Sequence, residues 1–253
     1  MNKKELEGKV AIVTGGGSGI GKMSALSYAE SGAKVVVADI SERDGQNVAD
    51  EIVEKGGEAI FVKTDVSQPK DNEILVNKTL ETYNRLDIAF NNAGTSGPIA
   101  PIAEYTIEQW NRVLQINLSS VFYGMHYQIP AMLKNGGGSI VNTVSIMAQL
   151  AAYGNSGYVA TKHGVLGLTK SAAVEYGKLG IRANAVAPGF TETPMFVDSV
   201  SQEFLDEKVK KQGMGRMGSP QEIANMVHWL SSDKSSFCNG ALYVVDGGFL
   251  VEQ

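Results

Sequence analysis

Tyr158 and Lys162 stand four residues apart in the run Tyr-Val-Ala-Thr-Lys, and Ser145 lies thirteen residues before the tyrosine. On a helix, positions four apart share a face, so a phenol and an ammonium spaced this way can point into one pocket. A free phenol has a pKa near ~10 and a neighbouring cation favours the phenolate, which makes such a pair an acid/base able to work nearer neutral pH. Bringing the phenol down by about three units takes roughly 4 kcal/mol of differential stabilisation. One lysine does not readily supply all of that, and a bound cationic cofactor would add to it. The spacing alone does not make a site, because a Tyr and a Lys on an exposed helix face are ordinarily just solvated.

The elements that must position this pair are legible as an alternation. Residues 9–14 form a short β-branched run, then come a glycine cluster and an amphipathic stretch over 20–31, which together read as strand, turn and helix. Residues 34–39 give a second strand, 41–55 a polar helix with Ser41 as a possible cap, and 59–63 a third strand. Beyond these, 72–83 reads as helix, 86–90 as strand, 107–134 as one or two helices, 139–144 as strand and 157–176 as the helix of the pair. Strands over 181–186 and 242–245, with a helix over about 220–230 between them, bring the total to about seven. Near-continuous apolar strands separated by helices imply an α/β fold, a doubly wound parallel sheet covered on both faces. No repeat, low-complexity tract or linker interrupts the alternation, so residues 1–253 are read as one domain.

The glycine cluster carries the second piece of chemistry. Thr14-Gly15-Gly16-Gly17-Ser18-Gly19-Ile20-Gly21 falls between the first strand and the first helix, where backbone NH groups and the helix N-terminus can hold a phosphate. No set of its glycines fits GxGxxG, whereas Gly15, Gly19 and Gly21 give GxxxGxG. The Walker pattern is a near miss: Gly16, Gly21 and Lys22 fit, but Met23 replaces the hydroxyl that would hold magnesium. Asp39 closes the second strand eighteen residues after Gly21, where a carboxylate can accept hydrogen bonds from ribose hydroxyls and repel a 2′-phosphate. No Arg or Lys falls inside the glycine cluster or directly after Asp39, and NAD is therefore favoured over NADP. A helix-capping or surface role for Asp39 stays open at this stage. Asp65-Val66 ends the third strand similarly, with a carboxylate placed either to meet an adenine amino group or to cap the loop.

Composition bounds what else the chain can be. At 253 residues and 43% hydrophobic, it can bury a substantial core. The net charge of -5 is spread along the sequence, leaving no basic footprint for nucleic acid and no polybasic membrane patch. Cys238 is the single cysteine, which excludes an internal disulfide and suits a reducing compartment; its apolar neighbours suggest a buried, structural thiol. The charged N-terminus lacks an apolar signal core and no run of eighteen apolar residues occurs, so a soluble, cytoplasmic protein is expected. His126, His163 and His228 fall on separate helical stretches with no HxH or HExxH spacing, and no metal site is expected. His163, adjacent to Lys162, lies about 100° around the helix from it.

Taken together, TGGGSGIG at Thr14 to Gly21, Asn91-Asn92-Ala93-Gly94 after the fourth strand, Asn117, Ser145, Tyr158 with Lys162, and Pro188-Gly189 after the sixth strand occur in an order that resembles the short-chain dehydrogenase/reductase family. The likeness covers nearly the whole chain and implies a Rossmann-type domain that binds a nicotinamide dinucleotide. By this resemblance Tyr158 is the general acid/base, Lys162 holds the nicotinamide ribose and lowers the phenol's pKa, and Ser145 hydrogen-bonds the substrate oxygen. Asn117 is implied to sit at a helix irregularity and to hold a water in a proton relay through Lys162. Implied cofactor contacts are Gly15, Ser18, Gly19, Ile20, Gly21, Asp39, Asp65, Val66, Asn91, Ala93, Gly94, Tyr158, Lys162, Pro188, Gly189, Thr191 and Thr193. The stretch from Asn91 to Gly94 is also implied to brace the central sheet.

The chemistry such a site needs is independent of the likeness. Hydride leaves or joins a carbon at the nicotinamide while the attached oxygen loses or gains a proton, which calls for a proton donor and an oxygen clamp beside the cofactor. An NAD(H)-dependent interconversion of a secondary alcohol and a ketone is expected. Met147, Leu150 and Tyr153, with Met195, Phe196, Val197, Val200, Phe204 and Leu205 in a lid within about 190–215, suggest an apolar substrate. Gln149, Asn155 and Glu192 leave a sugar or polyol dehydrogenase as an alternative, and a catalytically silent nucleotide-binding scaffold is the alternative of another class. Ala160, Gly164, Gly167, Ser171 and Ala172 permit close helix packing, and the family likeness implies a homotetramer.

Overall fold

The structure, a computed structural model, describes all residues except 1–3, 198–200, 202, 204–206, 208 and 253. Seven parallel strands form one sheet in the order β3-β2-β1-β4-β5-β6-β7. They are β1 (Val10–Thr14), β2 (Lys34–Asp39), β3 (Glu58–Lys63), β4 (Ile88–Asn91), β5 (Gly138–Thr143), β6 (Ile181–Pro188) and β7 (Leu242–Val245). Alternate residues feed opposite faces. Ile12, Val36, Ala89 and Ile140 enter one core with Leu75, Met125, Met132 and Val165, while Val13, Val37, Phe90 and Val141 enter the other with Ala25, Val48, Ile52, Ile223 and Leu230. Both sides of the pleat must be apolar, which is why the strands read as continuous rather than alternating runs.

The first face is covered by α3 (Pro69–Tyr83), α5 (Ser120–Leu133) and α6 (Ser156–Tyr176), the second by α1 (Gly19–Glu30), α2 (Glu42–Glu54) and the helix Pro220–Ser231, labelled α8. The short α4 (Ile107–Leu114) precedes α5, and a single turn, α7 (Pro194–Val197), follows β6. Ser41, Thr106 and Ser219 cap α2, α4 and α8 through their side chains. Among the described residues no helix is long and apolar enough to cross a membrane.

Several element bounds shift by one to three residues from the sequence reading, and two of these shifts and the exposure of Cys238 have a local cause. Helix α3 begins at Pro69, three residues earlier than 72, because proline is tolerated at the first helical position, where its missing NH has no partner to lose. Strand β4 starts at Ile88 because Asp87 acts as a cap: its buried carboxylate accepts from Val10 N at 2.9 Å and from Arg85 at 2.6 and 2.8 Å. Cys238 is half-buried rather than buried, since it sits in a surface turn beside the fully exposed Phe237 and only its inner side meets the second core.

The order in which successive strands are added to the sheet reverses between β1 and β4, which lie side by side and parallel. An open parallel sheet leaves a crevice beyond the carboxyl ends of such a pair, and ligands bind there. The loops that leave β1 and β4 at this point are the glycine cluster and Asn91 to Gly94.

Candidate active site

The floor of the crevice is built by hydrogen bonds between these two loops. Asn92 donates from its backbone and from Nδ2 to Thr14 Oγ1 at 3.0 Å and Thr14 O at 3.1 Å, and Ala93 N donates to Thr14 Oγ1 at 3.2 Å. Gly15 has φ +63°. A Cβ at Gly21 would overlap the Gly15 carbonyl, so the first turn of α1 lies directly on the loop. A Cβ at Gly17 would stand 2.9 Å from Asp39 Oδ2. Ser18 makes no side-chain cap to α1, and no acidic residue occupies that helix's first turn. The uncapped amides at Gly19, Ile20 and Gly21 thus differ from those of α2, α4 and α8, and they suit a dinucleotide's phosphates.

Asp39, at the end of β2, accepts from Gly17 N through Oδ2 and from Ser41 N through Oδ1, both at 2.9 Å. The carboxylate is thereby tied to the glycine cluster through one oxygen and to the start of α2 through the other. Asp65 is more committed: its Oδ1 takes both the amide and the hydroxyl of Ser67, at 3.0 and 2.7 Å, so it does close its own loop. The neighbouring Val66 carbonyl accepts from Asn72 at 2.9 Å. Asn91 points away from the crevice. Its amide pairs with Gln128 in both directions, at 3.1 and 2.9 Å, and donates to Asn142 at 2.9 Å, so the side chain braces β4, β5 and α5.

Ser145, Tyr158 and Lys162 converge where β5 meets α6. Ser145 Oγ accepts from Met147 N at 3.2 Å, which opens a short 3-10 turn, and the serine hydroxyl hydrogen-bonds the Tyr158 phenol. Lys162 is 4% exposed; its Nζ lies 5.3 Å from the Tyr158 ring centroid and donates to Thr143 O at 2.9 Å. Burial pushes the Lys162 ammonium down to about 8. The expected lowering of the phenol is not what this arrangement produces: burial pushes the Tyr158 pKa up, and the Ser145 hydrogen bond offsets only part of it.

Asn117 occupies a π-turn, Gln115–Ser119, between α4 and α5. Its amide clamps the backbone of Thr95, accepting from N and donating to O, both at 2.8 Å, and reaches Thr161 Oγ1 at 3.5 Å. A Cβ at Gly94 would be 3.2 Å from Asn117 Oδ1 and 3.9 Å from Lys162 Nζ, so the glycine lets the loop after β4 pass between them. On the far side, Pro188 ends β6, and Gly189 packs on Asp246, where a Cβ would be 2.7 Å from its Cα. Buried Thr191 donates to Gly189 O at 3.2 Å, and the Thr193 methyl faces Gly19, where a Cβ would approach it to 3.2 Å.

Sequence reading passed over Thr14, Thr95, Asn92, Thr143 and Thr161, which tie the motif residues to one another. Thr14, Asn92 and Thr161 lie inside the motifs and Thr143 two residues before Ser145, so their position was a signal even though their type was not. Of the apolar candidates, Met147, Leu150 and Phe196 are partly buried, Tyr153, Met195 and Val197 are exposed, and Val200, Phe204 and Leu205 lie outside the described residues. Gln149 and Glu192 are exposed, and Asn155 precedes α6, its backbone NH donating to Ala152 O at 3.2 Å. His163 is exposed and turned to Val159 O, His126 is exposed beside Phe122, and His228 is half-buried with Nδ1 2.8 Å from Ser27 Oγ. An apolar groove of ≈630 Å³ lined by Pro101, Ile102, Tyr153, Val159, Ala160 and His163 follows the outer face of α6, not the face carrying Tyr158 and Lys162.

Residues 15–250 match a family model described as enoyl-(acyl carrier protein) reductase. The chain is 48% identical over 241 residues to cyclohexanol dehydrogenase of Acinetobacter sp. (strain SE19), covering 95% of this chain and 94% of that one. It is 41% identical over 248 residues to 2,5-dichloro-2,5-cyclohexadiene-1,4-diol dehydrogenase of Sphingobium indicum (strain DSM 16412), covering 97% and 98%. The crystal structure of levodione reductase superposes with a TM-score of 0.94 at 36% identity, covering 96% of this chain and 98% of that one. This chain belongs to the short-chain dehydrogenase/reductase family. It is an oxidoreductase that interconverts secondary alcohols and ketones with a nicotinamide cofactor.

Proposed function

We propose that the protein is an NAD(H)-dependent dehydrogenase of alicyclic secondary alcohols, working equally as a reductase of the corresponding ring ketones. The observation that carries the chemistry is the buried Lys162 ammonium beneath the Tyr158 ring, with Ser145 on the phenol. The preference for a ring is supported by the two relatives whose names specify six-membered ring alcohols and by partly buried Met147 and Leu150 beside Ser145. The preference for NAD rests on Asp39, whose carboxylate, held by Gly17 N and Ser41 N, would meet a 2′-phosphate as a like charge. A cytoplasmic location accords with the single, half-buried cysteine.

The nicotinamide supplies or accepts the hydride when bound. Ser145 donates to the substrate oxygen and fixes it beside the phenol, and Tyr158 gives that oxygen its proton in reduction or removes it in oxidation. Lys162, bonded to Thr143 O, would hold ribose hydroxyls with its remaining ammonium hydrogens, and its charge would favour the phenolate in the loaded site. Asn117 clamps Thr95 and so keeps the loop after β4 clear of Lys162. Gly15, Ser18, Gly19, Ile20 and Gly21 would hold the phosphates, Asp39, Asp65 and Val66 the adenosine, and Asn91, Ala93, Gly94, Pro188, Gly189, Thr191 and Thr193 the remainder of the dinucleotide. NADH oxidation should depend on added cyclohexanone and fall about 10²–10⁴-fold in Tyr158→Phe; persistence in that variant overturns the assignment.

A homotetramer is proposed as well. Ala160, Gly167, Ser171 and Val174 lie exposed along one face of α6, with Phe122, Ile102 and Tyr153 also exposed, and a run of small and apolar side chains suits close packing on a second copy. Gly164 and Ala172 do not contribute, since they face Leu118 and the core. A light-scattering mass of 27.0 kDa, that of one chain, would refute assembly.

A further inference from the structure

The turn Asp246-Gly247-Gly248-Phe249, which follows β7, is remote in sequence from every motif residue yet touches both limbs of the segment that leaves β6 and returns to α8. Asp246 builds the turn. Its Oδ1 accepts from Gly248 N and its Oδ2 from Leu250 N, both at 2.9 Å, while Gly247 and Gly248 adopt φ +61° and +86°. On the outgoing limb, Gly189 N donates to Val245 O at 3.0 Å, and the Phe190 ring meets buried Phe249 edge-on, with centroids 5.1 Å apart at 81°. Phe190 in turn packs on Phe196 of α7 at 5.3 Å. On the returning limb, Met214 N donates to Gly247 O at 2.9 Å. The limbs are joined below by Gly218, which donates to Phe190 O and accepts from Glu192 N, both at 2.9 Å.

We propose that Asp246 and Phe249 are positioning residues for catalysis: the turn they form holds Gly189 to Thr193 in place, so that Thr191 and Thr193 present themselves to the cofactor beside Gly19. Neither residue touches the cofactor. They act through Gly189 and Phe190, and the inference rests on the assignment of Thr191 and Thr193 to the dinucleotide site. An aromatic ring at 249 is needed because an edge-on contact fixes the tilt of Phe190, which an aliphatic side chain of similar bulk leaves free. A carboxylate is needed at 246 because both of its oxygens accept from amides, and a carboxamide can accept with only one.

The test compares Phe249→Leu, Phe249→Tyr and Asp246→Asn with the parent enzyme in steady-state kinetics with NAD and cyclohexanol. Each is also digested with trypsin in the absence of cofactor, following cleavage after Lys210, Lys211 and Arg216. Phe249→Leu and Asp246→Asn are expected to raise the KM for NAD about tenfold with a smaller fall in kcat, and to be cut faster at those three sites. Phe249→Tyr, which keeps the ring, should stay within about twofold of the parent. Parental KM, kcat and cleavage rates in both Phe249→Leu and Asp246→Asn overturn the proposal, as does a lowered Tm with unchanged kinetics. Should Phe249→Leu not fold, Asp246→Asn decides. A parent enzyme that binds neither nicotinamide dinucleotide refutes the site assignment instead, and the cofactor-free digestion then judges the turn by itself.

Discussion

Replacing Lys162 by methionine should make the cofactor-free protein more stable at neutral pH while abolishing turnover. Burial holds the ammonium's pKa at about 8 against an ordinary value of 10.5, and the side chain is 4% exposed, so solvent screening scarcely reduces the effect. The unfolded chain therefore binds this proton more tightly than the folded one. Below the folded pKa both states are charged and the native state carries the full penalty; as pH rises towards the unfolded value the penalty is progressively relieved, and above it none remains. At ~1.36 kcal/mol per pH unit, the interval between the two values is worth roughly 3 kcal/mol. Methionine is of similar length but leaves the Thr143 carbonyl without its donor, which returns about 1 kcal/mol. A net gain of about 2 kcal/mol remains at pH 7, or a rise in Tm of roughly 4–8 °C for a chain of this size. Calorimetric melting of both proteins from pH 6.5 to 10.5, without cofactor, reads this directly. The advantage of the variant should shrink steadily above pH 8 and vanish or reverse near pH 10. A variant that melts lower at pH 7, or a difference that does not vary with pH, would refute the argument that an uncompensated buried cation sits here.

Two further outcomes follow from the crevice. Asp39→Ala removes the carboxylate opposite a 2′-phosphate, and the ratio of kcat/KM for NADP to that for NAD should rise at least about tenfold; a parent enzyme at least as efficient with NADPH as with NADH would contradict the role of Asp39 outright. Gly21→Ala forces a methyl into the Gly15 carbonyl and to 2.8 Å from Asn92 Nδ2. It should cost about 1–3 kcal/mol in thermal stability and weaken NADH binding measured by fluorescence, and parental values for both would mean that α1 and the loop can separate freely.

The sheet was legible because its signal is local. Both faces of each central strand are buried, so β1 and β2 announce themselves as apolar runs, and the bounds of β2 and β7 read from the sequence coincide with those observed. The positions of the motif residues were legible for the same reason, since each lies at a strand end or on a helix. Their partnerships were not. Asn91 looks like a neighbour of the cofactor, yet its amide is consumed by Gln128 and Asn142, which lie 37 and 51 residues away and carry no spacing signal. The π-turn at Asn117 inserts a residue into a segment whose composition is ordinarily helical, so the family resemblance pointed to it where composition could not, and the Thr95 backbone that the asparagine clamps carried no signal. Without cofactor, burial pushes the phenol's pKa up, which spacing does not report, because it shows that a lysine is near but not how dry the pocket is.

Buried charge separates the working part of the molecule from its scaffold. Asp87 is buried, but Arg85 and Val10 N satisfy both of its oxygens. Arg182 is partly buried and makes no ion pair among the described residues, yet it donates to the carbonyls of Leu230, Ser232 and Cys238 and so closes the C-terminal end of α8, where a cation is favoured by the helix dipole. Both are structural solutions in which every desolvated group finds a partner. Lys162 is as deeply buried as Asp87 but, among the described residues, its ammonium makes one hydrogen bond, to Thr143 O. Folding alone gains nothing from leaving two donors of a buried ammonium unspent. Beside Tyr158 and Gly94, a ribose would satisfy them, and the stability forgone in the empty pocket would be recovered on binding. The same reasoning explains why the site tolerates a phenol pushed upward: the arrangement is completed by the ligand, not by the fold.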